Sequence, residues 1–533
     1  MTRTGRRDLT VTGLVVVAVT ALLVGRSLGR GLYLYRDFVT VPAPVVGAAT
    51  WGTAGDPPRS APLDAVVVAL SPVVPPGVQQ QVMLVSCLLL AGLGTGLLVR
   101  SWGLGAMVPA AVLAMWNPWV VERLLLGQPP TLLAYSMTPW VVLAVRSRLG
   151  GRRALLALAA AAVPAALTPW GGVSALVTAL VTAMATPWRR GWWCLGAAGL
   201  GVAWCLPWLV PSFRYAVAAA DRDGANAFAV QADSPLGVLG SVATLGGVWG
   251  GGAVPASRSG GWSVAAGLVL LALAATGVVV LRRSGRRGAA GWLGAALIAP
   301  PLAVTVLATA PGVAFMRVAQ EVPGLALARD THRWIAPTVT ATAVLVGVTS
   351  ATLARVLAAR GRVGAAPAVA VVAVACSVVA LTVPDAPKVL HAAYQPVRMP
   401  PGWAHAVASA DRAAGDKAVL VLPWSAFRAA RTPAGYNAGR PFLDPLERAL
   451  VQEVVRAEQL VVVRDGREVV VDDDPPAAAA LAANPTPESL RAAGIGAVVV
   501  WKDVRGPDVP SVLGSLERVS DSGAFEVWRV TRP

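Results

Sequence analysis

The sequence predicts a polytopic α-helical membrane protein of about eleven transmembrane helices with a small extracytoplasmic α/β domain at its C-terminus. Three observations predict it. Of the 533 residues, 55% are hydrophobic and only 14% charged, where a soluble globular chain carries roughly a quarter charged residues. Many apolar runs reach the ~18–20 residues that cross a bilayer. Beyond residue 384 the pattern changes to short β-branched runs alternating with helix-like segments, the signature of an α/β layer.

The net charge of +17 is unevenly placed: residues 385–533 hold 17 basic and 18 acidic side chains, residues 1–384 hold 28 and 10. Basic excess confined to alternate loops is what positive-inside insertion produces, so it calls for no nucleic acid partner. The four cysteines lie inside apolar runs, where Cys packs as a small hydrophobe, and show no disulfide or zinc spacing. Many of the 19 tryptophans fall near run ends, as interfacial anchors do.

In chain order, Arg3, Arg6 and Arg7 precede an apolar run over 9–24, and Gly25-Arg26 follows it rather than a small-x-small cleavage site. This predicts a retained first helix with its N-terminus in the cytoplasm. Further spans are expected near 79–99, 103–119, 131–145, 154–170, 172–187, 192–211, 262–281, 288–310, 334–354 and 365–383. The clusters at Arg100, Arg146–Arg153, Arg189-Arg190, Arg282–Arg287 and Arg355–Arg362 then share the N-terminal side. Of the ten acids before residue 385 only Asp8 joins them. Asp37, Asp56, Asp64, Glu122, Asp221, Asp223, Asp233, Glu321 and Asp330 fall in the opposite loops. Either those loops are simply longer, or the outer face carries a polar site.

Among the outer loops, 212–261 is rich in Gly, Ser and Ala and is expected to be mobile. An odd span count places the tail outside the cytoplasm. Strands are expected at 418–422, 460–463, 468–471, 497–501 and 525–530, with helices at 402–414, 443–458 and 487–493. Proline-rich 385–401 reads as a linker, dividing the chain into a core (1–384), that linker, and a domain (402–533). No phosphate loop, GxGxxG, GxSxG or HExxH occurs.

Three charged clusters stand out. Asp37 beside Arg36 is either an interfacial ion pair or a carboxylate placed to take a proton from an attacking hydroxyl. Glu122-Arg123 lies among Asn117-Pro118, Gly127-Gln128 and Pro129-Pro130. Irregular backbone at membrane depth is tolerated only inside protein or beside water, and charge there is costly, so a substrate-positioning role is expected over a helix-end pair. Arg329-Asp330-Thr331-His332-Arg333-Trp334 is the densest cluster. Its arginines, four apart, would share a helix face and could grip a phosphate, or anchor the helix at the interface. His332 is more readily a hydrogen-bonding side chain than a base. A base, a second acid and a cationic site on one side are the parts that sugar transfer from a polyprenyl phosphate needs, because the leaving phosphate's charge must be stabilised.

The stretch 117–128, with Arg36-Asp37 upstream and 329–334 downstream, resembles the membrane core of GT-C glycosyltransferases, and within them the actinobacterial arabinofuranosyltransferase-type envelope enzymes. The resemblance covers roughly residues 10–384. It implies a plasma-membrane enzyme with a decaprenyl-phosphate sugar donor, a catalytic carboxylate in the first outer loop and inversion at the anomeric carbon. It maps Asp37 onto that carboxylate, Glu122 onto the acid after the third span, and Arg329 and Arg333 onto the donor-phosphate site, with Arg36, Arg123, Gln128, Asp330 and His332 beside them. Arabinofuranose and mannose are the candidate sugars, and an envelope glycan or glycolipid the acceptor. Some GT-C families use a divalent metal, for which no closely spaced acidic pair argues here. Two alternatives from other classes are a flippase for lipid-linked sugars and an envelope-assembly scaffold.

Overall fold

The computed structural model describes residues 3–52, 61–189, 191–214, 224–322, 325–360, 366–430, 439–464, 467–471 and 474–531. The chain forms two compact units.

The first unit comprises Met1–Arg26, Met83–Leu206 and Ala225–Ala393 and is helical. Its centre is the helix Ala336–Arg360, against which Leu104–Met115, Gly261–Arg283 and Arg287–Leu307 pack. In lipid, apolar burial does not drive helices together, so close backbone approach and interhelical hydrogen bonds must. Both are present. A Cβ on Gly277 would stand 2.5 Å from the Leu345 carbonyl oxygen, and one on Gly347 would stand 2.7 Å from that of Ala106. The Thr338 hydroxyl donates to Ala296 O and that of Thr349 to Leu273 O, each at 2.8 Å. Large apolar side chains such as Leu14, Trp262, Ile298 and Val369 stay exposed, as lipid-facing residues do.

Among the described residues, seven helices are long and apolar enough to cross a membrane, or eight if the bent pair Ala368–Leu381 and Ala386–Ala393 is one span. The expected eleven included shorter segments. The stretch 154–170 resolves into the 12-residue helix Gly151–Ala162 and a 3-10 turn at Ala165–Leu167. The stretch 172–187 becomes the 16-residue helix Pro169–Met184. Pro164 and Pro169 interrupt what hydropathy alone reads as continuous.

The second unit comprises Ser27–Val82, Pro207–Gly224 and Tyr394–Pro533. The first outer loop, expected in the core, therefore folds with the tail. It supplies a hairpin of β1 (Leu34–Tyr35) and β2 (Phe38–Val39). The tail supplies β3 (Ala418–Leu422), β4 (Phe427–Arg428), β5 (Phe442–Leu443), β6 (Val454–Val455), β7 (Leu460–Arg464), β8 (Arg467–Val471), β9 (Ile495–Trp501), β10 (Glu517–Asp521) and β11 (Phe525–Arg529). A five-stranded sheet runs in the order β10-β11-β9-β3-β6, with β3 parallel to both β6 and β9. The helix Trp403–Ala414 covers one face, burying Trp403 against Trp501 and Phe525. Leu34, Val39 and Val41 of the first loop enter this same core.

Two expectations for the tail are corrected. The stretch 443–458 is not a helix: it holds a 3-10 turn at Leu446–Arg448 and the strand β6. Pro445 and the β-branched pair Val454-Val455 decide against helix. The expected linker contains the helix Ala386–Ala393, which belongs to the first unit.

Candidate active site

The helix Pro118–Leu125 follows a break after Met115. Asn117 caps it, its side chain accepting from Val120 N at 3.0 Å, with Pro118 in the first turn. Gly127, at φ 74, ends the turn that follows. Every residue of this helix is buried, so Glu122 and Arg123 lie inside the protein and not in an outer loop.

The Arg123 guanidinium spans Asp330 with two bonds, Nη1 to Oδ2 at 2.6 Å and Nη2 to Oδ1 at 2.8 Å. It also donates to Gln128 Oε1 at 2.9 Å and meets His332 Nδ1 at 2.8 Å. Arginine only donates, so Nδ1 accepts, and the hydrogen-bond pattern assigns His332 as neutral with its proton on Nε2. That nitrogen faces Glu122 Oε2 at 3.4 Å. Trp119 completes the cage, its indole N–H donating to His332 O at 2.9 Å.

On the other side of Glu122 stands a second pair. Arg258 grips Asp233 through Nε and Nη2, both at 3.0 Å, and reaches the Thr244 hydroxyl at 3.2 Å. Gly247 N donates to Asp233 Oδ2 at 2.9 Å. Burial alone would raise the Asp233 carboxyl, but the neighbouring Glu122 carboxyl and the Arg258 charge outweigh that and hold it at about 2. A Cβ on Gly246 would come 2.5 Å from Arg258 Nη2, so the backbone there has to be bare. The loop 212–261, expected to be mobile, is thus anchored in its described part; Asp221 and Asp223 lie outside the described residues.

The arginines expected to clamp phosphate do not share an α-helical face. Arg329 falls between the 3-10 turns Leu325–Ala328 and Thr331–Ile335. Its guanidinium lies 4.7 Å from the Phe228 ring centroid, and Arg333 Nε is 3.0 Å from Asp330 Oδ2. Both side chains are half-buried. Asp330 is tied to Arg123 and Arg333. The sequence reading missed Asp233, Arg258 and Trp119 as partners in this network. An isolated Arg inside the Gly-rich loop, 25 residues after an Asp, was the available signal.

Asp37 belongs to the second unit. Tyr35 pairs with Phe38, so Arg36 and Asp37 form a two-residue turn. Asp37 is exposed while the strand residues around it are buried. Arg36 has φ 47, a left-handed conformation costing about 1–2 kcal/mol in a non-glycine residue. Two bonds hold it there: Arg36 N donates to Pro441 O at 2.8 Å and Leu443 N donates to Arg36 O at 2.9 Å. The buried Gln80 side chain accepts from Tyr33 N and donates to Tyr33 O, fixing the strand that leads to the turn. Tyr394 packs edge-on to Tyr33 and Phe38. The result is an exposed acidic residue on a strained mount, and such strain concentrates at functional sites.

Among the described residues no group of three or more His, Cys, Asp or Glu side chains is placed to hold a metal ion.

The fold is similar to that of a solved membrane glycosyltransferase. The chain is similar in structure to a mycobacterial arabinofuranosyltransferase, AftD, with a TM-score of 0.56 at 19% identity, over 99% of this chain and 42% of that one. It therefore spans less than half the length of that enzyme. The archaeal oligosaccharyltransferase AglB from Archaeoglobus fulgidus is more distant, with a TM-score of 0.41 at 11% identity over 93% of this chain and 69% of that one. No family model and no curated protein sequence matches the chain.

Proposed function

We propose that the protein transfers a sugar, arabinofuranose or mannose, from a polyprenyl phosphate to an envelope glycan or glycolipid on the extracytoplasmic face of the plasma membrane. The observation that carries this reading is the likeness in fold to an arabinofuranosyltransferase over nearly the whole chain. In the proposed step Asp37 takes the proton of an acceptor hydroxyl, and that oxygen attacks the anomeric carbon. The bond from that carbon to the phosphate oxygen breaks, releasing polyprenyl phosphate with inversion. Arg329 and Arg333 face the leaving phosphate's charge, since forked donors suit it. Glu122, Arg123, Gln128, Asp330 and His332 act as positioning residues, because their burial keeps them from substrate while they fix the 329–334 segment.

The test is transfer by protein reconstituted with a synthetic polyprenyl-phosphate sugar. Asp37→Asn should lower turnover by about 10²–10⁴-fold, the usual contribution of a general base, without changing melting behaviour. Arg329→Ala should also lower it. Full turnover in both variants would refute these residue roles, and no transfer by the wild-type protein would favour a flippase or scaffold.

A further inference from the structure

The second unit holds a crevice that the transfer step does not use. It has a volume of about 340 Å³ and is lined by Leu422, Trp424, Ala482, Pro507, Asp508 and Pro510 among others. That is within the ~300–1,000 Å³ range of small-molecule sites. Its place in the sheet is specific. Leu422 and Trp424 sit at and just beyond the carboxyl end of β3, and Pro507, Asp508 and Pro510 follow the carboxyl end of β9. These strands are parallel neighbours, but the chain continues from β3 towards β6 on one side and from β9 towards β11 on the other. The crevice outside the carboxyl ends of such a diverging pair is where α/β sheets bind ligands.

The lining selects the chemistry. The Trp424 indole N–H donates to Asp474 Oδ2 at 2.7 Å, and Asp474 Oδ1 in turn accepts from the backbone N–H groups of Glu458 and Gln459. The indole's polar edge is therefore committed, and what it offers the crevice is apolar aromatic surface. Asp508 is exposed at the same crevice and brings a carboxylate. Among the described residues no Lys, Arg or His lines the cavity, so a phosphate or a nucleotide finds there a like charge and no counter-charge. A lipid chain would have no use for the carboxylate. A neutral sugar matches both parts: its C–H face meets the electron-rich face of an aromatic ring, and its hydroxyls donate to a carboxylate.

We propose that this crevice binds one sugar residue of the acceptor glycan, with Trp424 as the platform and Asp508 as the hydroxyl acceptor. Calling the ligand an acceptor rests on the transferase reading; the sugar-binding chemistry does not.

The experiment titrates the full chain in nanodiscs with an α-arabinofuranose tetrasaccharide and, separately, an α-mannose tetrasaccharide, read by saturation-transfer NMR. At least one should bind, and Trp424→Ala and Asp508→Asn should each weaken it about tenfold, equivalent to one good contact. Trp424→Phe should keep most of the affinity, because the platform remains. If Trp424→Ala does not purify folded, the exposed Asp508→Asn decides alone. Binding of neither tetrasaccharide, or unchanged affinity in the folded variants, overturns the inference. A wild-type protein that transfers sugar yet binds neither overturns this inference alone. Trp424-dependent binding in a protein without transfer activity supports the sugar site and removes the transferase reading.

Discussion

Arg123 is the keystone of the buried network, and replacing it with Met should reveal how much the network contributes. The guanidinium holds Asp330 with two bonds and supplies donors to Gln128 and His332. Removing one partner of a buried ion pair typically destabilises by about 3–5 kcal/mol, because the other charge is stranded. Arg333 still reaches Asp330 at 3.0 Å, which argues for the lower end of that range. On a unit of this size the apparent Tm should fall on the order of 5 °C, measured by tryptophan fluorescence in a fixed detergent. The double variant Arg123→Met, Asp330→Leu strands no carboxylate and should regain roughly 2 kcal/mol of that loss. Equal melting of wild type and Arg123→Met would refute the reasoning. So would a double variant less stable than the single one.

Four further outcomes are expected. Asp233 is held at about 2 in the folded protein, against ~3.9 for an ordinary Asp. Its contribution is therefore complete above the unfolded value and lost as pH falls towards 2, a change of about 2–3 kcal/mol. Melting curves from pH ~5 to ~2 should show the decline in wild type, and Asp233→Asn should melt lower but with that slope flattened. Gly277→Val should destabilise by about 1–3 kcal/mol through overpacking against the Leu345 carbonyl, seen as a lower Tm with unchanged helical content by circular dichroism. Gln80→Ala should loosen the Asp37 turn, lowering kcat more than it raises KM in the reconstituted assay. Arg36→Gly should relieve the φ 47 strain and melt at or above wild type, while turnover falls because the turn no longer has one conformation.

Much of the tail could be read from sequence because its strands are runs of β-branched residues. Val498-Val499-Val500 and Val419-Leu420-Val421 admit little else, and the helix Trp403–Ala414 shows its apolar face at helical spacing. Elements of two residues defeated the reading: β5 and β6 carry no periodicity, so 443–458 looked like one helix. In the first unit the charged stretches were found because intramembrane charge is conspicuous, but their geometry was not. A spacing of four put Arg329 and Arg333 on one face only if the backbone was α-helical, and two 3-10 turns intervene. The Asp233–Arg258 pair was hidden in a glycine-rich loop whose composition suggested motion. Tertiary pairing over 128 residues, as between Ser257 and Asp385, leaves no mark on local sequence.

The network also sets a schedule for the chain's own birth. Arg123 leaves the ribosome 207 residues ahead of Asp330, which at ~5–20 residues per second is an interval of roughly 10–40 s. Throughout that interval the helix bearing Glu122 and Arg123 has been made, and neither its counter-ion nor its histidine exists. The two neighbours must shield one another, linger near the membrane surface, or be sheltered by the insertion machinery until the third segment arrives. Late synthesis of residues 330–333 would then be the event that locks the bundle, and nascent chains halted before it should be the ones degraded.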